Sequence, residues 1–193
     1  MVFAVHPISS PTRRSALKQL GALGAVGTMA TGMPTDGWAA TRVADVPRGY
    51  WWVGQRSGVP GQLLYCVAAQ ESVMRFGDRS LPYPWTLCAR GTPLRFESYA
   101  ATVNALEQLL QAGVTNVDCG AMQVNWHWHA ERLVTPRQAL DPYPNLRVGA
   151  ALLKEHALAT GDWFKAVGRY HHPSNSERAT RYAQGVFTRL SKL

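Results

Sequence analysis

The run Leu63-Leu64-Tyr65-Cys66-Val67-Ala68-Ala69 is apolar throughout and leads into Gln70-Glu71-Ser72. Pro60 suits the first turn of a helix and Gly77 is placed to close it, so the spacing predicts a helix from Pro60 to about Phe76. At helical spacing Leu64, Val67, Ala68 and Glu71 share one face. A face that should enter the core therefore ends in a carboxylate. Burial penalises the charged form, and the negative end of the helix dipole adds to that penalty. Such a carboxyl is suited to hold a proton and act as a general acid. A glutamate that simply reaches solvent from a helix end is the plainer alternative.

Residues 1–39 read as a leader, not as part of the fold. Arg13-Arg14 stand ahead of a mildly apolar stretch, Leu20 to Ala30, that is diluted by Gly21, Gly24 and Gly27. It falls far short of the roughly 20 apolar residues that span a bilayer. Gly37-Trp38-Ala39-Ala40 ends it with small residues suited to a signal peptidase. The pattern predicts a twin-arginine export signal and a periplasmic protein, with a Sec signal or an uncleaved anchor as alternatives. Residues 40–193 are then one mature domain, long enough to bury a core without metals or disulfides, and with no membrane span of its own.

The chain has 20 Lys and Arg against 12 Asp and Glu, a net charge of +8. Arg13, Arg14, Lys18 and Asp36 leave with the leader, and the remainder carries +6. That balance suits an anionic partner such as a cell wall, a membrane surface or nucleic acid. No basic run exceeds two residues and no basic stripe is interleaved with aromatics, which argues against nucleic acid. Cys66, Cys88 and Cys119 form an odd set without CxxC spacing. Cys66 sits in the apolar helix and reads as a small buried hydrophobe. Cys88–Cys119 is the candidate disulfide in an oxidising compartment, and free thiols at all three positions are the alternative.

Beyond Gly77, Thr86-Leu87-Cys88 and Leu94-Arg95-Phe96 around Gly91 predict a small hairpin. Ser98 can cap a helix through about Ala112, with Gly113 as its stop. Val114 to Asp118 is a short extended piece. Further helices are expected from Asn145 to near Gly161, from Asp162 to before Pro173, and from Ser176 through Tyr182, Val186 and Leu190. The fold class is α+β and mostly α: a single domain with a small β-hairpin.

Two more segments carry chemical groups. Gly120-Ala121-Met122-Gln123-Val124-Asn125 combines a glycine that permits close backbone approach with amides that match sugar hydroxyl and acetamido groups. An ordinary turn would look similar. Arg169-Tyr170-His171 falls near a helix end, where the Tyr170 phenol is either a packing group or a holder of the carboxyl or the sugar.

In this order the segments resemble the soluble lytic transglycosylase family, whose domain is lysozyme-like. Glu71-Ser72 matches the family's Glu-Ser motif, and Gly120 to Asn125 matches its Gly-Leu-Met-Gln-(Ile/Val)-Asn motif. Arg169-Tyr170-His171 corresponds to its Ala-x-Tyr-Asn motif, and Tyr182 to a tyrosine of its closing helix. The likeness covers roughly Tyr50 to Leu190. Pro82 to Leu87 followed by Gly91 also resembles the insert of transglycosylases encoded with conjugative elements. Ala121 replaces the commoner leucine, and His171 stands where asparagine is usual, with His172-Pro173 in place of small residues. Trp126-His127-Trp128-His129 follows the second motif and offers rings to sugar faces.

The resemblance implies cleavage of the β-1,4 bond between N-acetylmuramic acid and N-acetylglucosamine in peptidoglycan, without a cofactor. Glu71 would be the catalytic acid, then the base that closes a 1,6-anhydro ring. Ser72, Met122, Gln123, Asn125, Tyr170 and Tyr182 would bind or arrange the substrate, and a conjugation or secretion apparatus is a candidate partner. An ordinary glycosidase would need a second carboxyl at about 5–5.5 Å if retaining or about 6.5–9.5 Å if inverting. Asp118 is the candidate for it, with a structural role the favoured reading. A hydrolytic muramidase, a non-catalytic wall-binding module, and a metal enzyme on His127, His129, His171 and His172 remain as alternatives. The histidines lack His-Glu-x-x-His spacing, so no metal is expected.

Overall fold

The structure is a computed structural model that describes residues 46–193. The export signal expected over residues 1–39 lies outside the described residues. Helix α1 (Arg48–Ser57) leads into α2 (Gly61–Ser72), whose Leu63, Leu64, Tyr65, Cys66, Val67 and Ala68 are all buried. A helix apolar on nearly every side belongs inside a domain, and α2 packs against α1 and the last helix, α8 (Ser176–Leu190). Burial pushes the Cys66 thiol up to about 11, in keeping with a packing role.

α2 stops at Ser72, four residues before the expected end, and Val73–Phe76 is strand β1, paired antiparallel with β2 (Arg79–Pro82). The reason lies at Ser72. Its carbonyl and its hydroxyl both accept from the Tyr83 backbone N–H, at 3.0 and 3.2 Å, and the chain turns extended at Val73. Gly77, read from sequence as a helix cap, instead sits in the turn of this unforeseen hairpin.

The expected hairpin is present as β3 (Thr86–Ala89) and β4 (Thr92–Arg95). It continues through β5 (Val117–Cys119) to β6 (Val124–Asn125), giving a four-stranded sheet of order β4-β3-β5-β6. Alternation sorts its two faces. Leu87, Cys119 and Val124 lie opposite one another and are buried, whereas Cys88, Asp118 and Asn125 form a row on the other face. That register removes the candidate disulfide. Cys88 pairs with Asp118 and Cys119 with Leu87, so the two thiols leave opposite sides of the sheet and all three cysteines are free.

Ser98 caps α3 (Tyr99–Gln111), as expected, by accepting from the Ala101 N–H. Helices α4 (Trp126–Leu133) and α5 (Pro136–Leu140) were not legible beforehand. The long helix α6 runs Pro142–Thr160, with Asp141 as its cap and Pro142 in its first turn, so Asn145 is an interior residue and not the opening one. Helix α7 (Trp163–His171) is capped by Asp162 as predicted; α8 is capped by Asn175, one residue before the expected Ser176. Among the described residues no helix is long and apolar enough to cross a membrane.

Candidate active site

Glu71 is the penultimate residue of α2, and its side chain is only 9% exposed. Oε1 accepts from the Tyr182 hydroxyl at 2.6 Å and lies 3.2 Å from His171 Nδ1. Among the described residues no hydrogen bond reaches Oε2. The carboxyl is therefore gripped from one side and free on the other. The His171 ring stacks on Tyr182, with centroids 4.4 Å apart and planes 12° from parallel. Burial, then the Glu71 charge, hold the Tyr182 phenol well above its ordinary value, so it remains a donor.

The loop after β5 forms the facing wall. Gly120 has φ +72, and a Cβ there would sit 2.7 Å from Asn145 Cγ, so both its backbone conformation and its closeness to α6 require glycine. Asn145 is fully buried and meets three backbone groups: it accepts from Met122 N–H at 2.9 Å and donates to the carbonyls of Cys119 (2.8 Å) and Ala139 (2.9 Å). Ser72 Oγ, 1% exposed, lies 2.9 Å from the carbonyl oxygens of both Ala68 and Ala121. It ties the end of the acid-bearing helix to the loop.

These contacts revise several expected roles. Met122 is fully enclosed beside Gly149, where an added Cβ would come 2.7 Å from Met122 Cε. Its side chain thus fills the core and does not face a sugar, and Ser72 likewise acts on backbone. The Tyr170 hydroxyl donates to the Met122 carbonyl at 2.7 Å, so Tyr182, not Tyr170, is the phenol that holds Glu71. Burial first, then the charges of Glu71 and Asp118, raise Tyr170 well above its usual value and keep it a donor. Gln123, at φ +47, turns Nε2 back to the Gly120 carbonyl at 2.9 Å. Asn125 donates to Asp118 Oδ1 at 2.7 Å and to Asn116 Oδ1 at 2.8 Å, and its own Oδ1 is buried without a partner.

Asp118 belongs to the same electrostatic cluster. Burial raises its carboxyl, the Glu71 charge adds to the rise, and the Asn125 amide and His171 oppose it. The four histidines weighed as ligands do not converge: His127 Nδ1 lies 3.0 Å from Thr115 Oγ1, while His171 and His172 meet edge-on at the end of α7. Trp128, 72% exposed, offers a free ring just after the loop.

The family model for the transglycosylase SLT domain matches residues 53–186, which takes in Glu71, the 120–125 loop, Tyr170 and Tyr182. The chain belongs to this family. No curated protein and no solved structure matches it. The SLT domain supports transglycosylase-type action on peptidoglycan, and its lysozyme-like α+β character agrees with the helices and small sheet described above.

Within this SLT domain Tyr182 is the clearest target among the residues around the acid. Tyr182→Phe removes the donor to Oε1 and keeps the ring that stacks on His171. The expected result is kcat on solubilised glycan strands lowered by about tenfold, the worth of a hydrogen bond to a charged group, with KM nearly constant. An unchanged kcat would show that the phenol is not needed to hold the carboxyl.

Proposed function

We propose that the protein is an exported lytic transglycosylase that cleaves the β-1,4 bond between N-acetylmuramic acid and N-acetylglucosamine and leaves a 1,6-anhydromuramic end. One observation carries the reading: a shielded carboxyl, Glu71, is held at Oε1 by Tyr182 and His171, while Oε2 is left free. Glu71 donates its proton to the glycosidic oxygen. The substrate's acetamido group stabilises the cation that develops at C1. The resulting carboxylate then takes the proton of the muramic C6 hydroxyl as that oxygen attacks C1, and the acid is restored without water entering the bond.

Export by the Arg13-Arg14 leader would place this activity in the periplasm. Local opening of the wall there would serve a conjugation or secretion apparatus. The net positive charge of the mature domain suits the anionic wall.

Hydrolysis is the second reading, favoured by Asp118 as another carboxyl in the same cluster. Mass spectrometry of products from purified peptidoglycan separates the two. Muropeptides one water lighter than their reducing counterparts are expected. Reducing muramic ends alone would replace ring closure by hydrolysis, and intact glycan would leave only a wall-binding role.

A further inference from the structure

The geometry points to His171 as a positioning residue that shares one proton with Glu71: its Nδ1–H holds Oε1 in either state, while its Nε2 proton passes through solvent to the free Oε2 when glycan fills the cleft. This rests on the acid–base reading of Glu71 and adds a second group to it. The 3.2 Å contact sets Nδ1 beside Oε1, and the stacking of the ring on Tyr182 fixes the imidazole plane. The asparagine usual at this place in the family could hold Oε1 but could not carry a proton.

In the free enzyme the hydrogen bond to Glu71 raises His171 above an ordinary histidine; burial opposes the rise, and the charges of Glu71 and Asp118 support it. The contact therefore favours the imidazolium form of His171 in the resting pair. Other groups lie around it: Tyr170 on α7, His172 just after that helix, Tyr182, Arg178 and Arg181 on α8, Gln70 on α2, and Asp118 on β5. At 43% exposure the imidazole is still reached by water. A bound glycan that displaces bulk water from around the pair penalises the ion pair relative to its neutral form, while water at the exposed edge of the imidazole remains as the proton's path. The proton then leaves the imidazole and appears on the carboxyl. The pair's net charge is unchanged, and the acid is loaded where substrate is present.

The pair keeps its shared proton until pH rises past the value set by His171, which is raised. Carboxyl groups in general lose their proton at lower pH than imidazoles. His171→Asn preserves a neutral donor to Oε1 and removes the second proton carrier.

Initial rates on solubilised glycan strands are measured against pH for the wild type and His171→Asn, each normalised to its own maximum. The His171 ring is titrated by NMR in the wild type and in Glu71→Gln. The basic limb of His171→Asn is expected at least about one pH unit lower, so that at a fixed pH above it the normalised rate falls about tenfold. The ring is expected to titrate lower in Glu71→Gln than in the wild type. Superimposable profiles, or the same ring titration in both proteins, would overturn the shared proton. If His171→Asn fails to fold, His171→Gln supplies the neutral donor, and the NMR arm does not depend on either. A Glu71→Gln protein that still releases muropeptides would sink the acid reading itself. An inactive one with superimposed wild-type and His171→Asn profiles sinks only the role of His171.

Discussion

Glu71→Gln is expected to lower muropeptide release from purified peptidoglycan by about a hundred- to ten-thousand-fold, the usual contribution of a positioned general acid. Its melting temperature and its retention on peptidoglycan should stay near those of the wild type. The side-chain amide oxygen can still accept from Tyr182, so the contact that fixes the side chain survives. What would disappear is a carboxyl able to give a proton at Oε2, which no hydrogen bond occupies among the described residues, and to take one back. Folding draws on contacts the substitution does not touch, among them the Ser72 tie to Ala121 and the Tyr170 tie to Met122. The decisive comparison is therefore rate against retention. Wild-type release by the glutamine variant would remove the mechanism, whereas lost retention with lost release would mean that the carboxyl is a binding group and not an acid.

Parts of the fold around this candidate site are legible in the sequence. Helical spacing put Glu71 on the buried face of α2 with Leu64, Val67 and Ala68, and the three of them are indeed enclosed. The Thr86–Arg95 hairpin was readable because Arg90-Gly91 breaks two β-favouring runs, and the caps Ser98 and Asp162 were read because their oxygens have only the next turn to serve. What failed depended on partners distant in sequence. The end of α2 is set by Tyr83, eleven residues on, and no local signal at Val73 announces it. The Cys88–Cys119 pairing fell to strand register, which composition does not encode. The choice between Tyr170 and Tyr182 as holder of the acid turns on which helix face meets Glu71 and which meets the Met122 carbonyl. His171 was visible as a departure from the family pattern, but its contact with Glu71 became apparent only in the fold.

Asn145 shows a different kind of failure, and it leads to the second large effect. An asparagine ahead of an apolar helical pattern reads as a cap, since it is favoured there. The competing signal, Asp141-Pro142, was the correct one, and it moves Asn145 to the buried face of α6 with Gly149 and Leu152. A polar residue at such a position must be answered by partners, and here all three are backbone groups of the 119–122 loop and of α5. Asn145→Ala leaves one N–H and two carbonyls without their partners in a buried place. At roughly 1–3 kcal/mol for each abandoned group, less what relaxation and water recover, the expected cost is about 3–5 kcal/mol. That corresponds to a melting temperature about 10 °C lower in a domain of this size. Asn145→Asp separates the two halves of the amide. It keeps an acceptor for Met122 N–H but turns oxygen toward the carbonyls of Cys119 and Ala139, so it should be no more stable than the alanine variant. Because Met122 also carries the carbonyl that accepts from Tyr170, both variants should lose activity at temperatures where they remain folded. A drop of less than about 2 °C in either variant, or full activity in the alanine variant, would mean that Gly120 and Ser72 hold the loop without the amide, and that the bridge from α6 to the catalytic wall is dispensable.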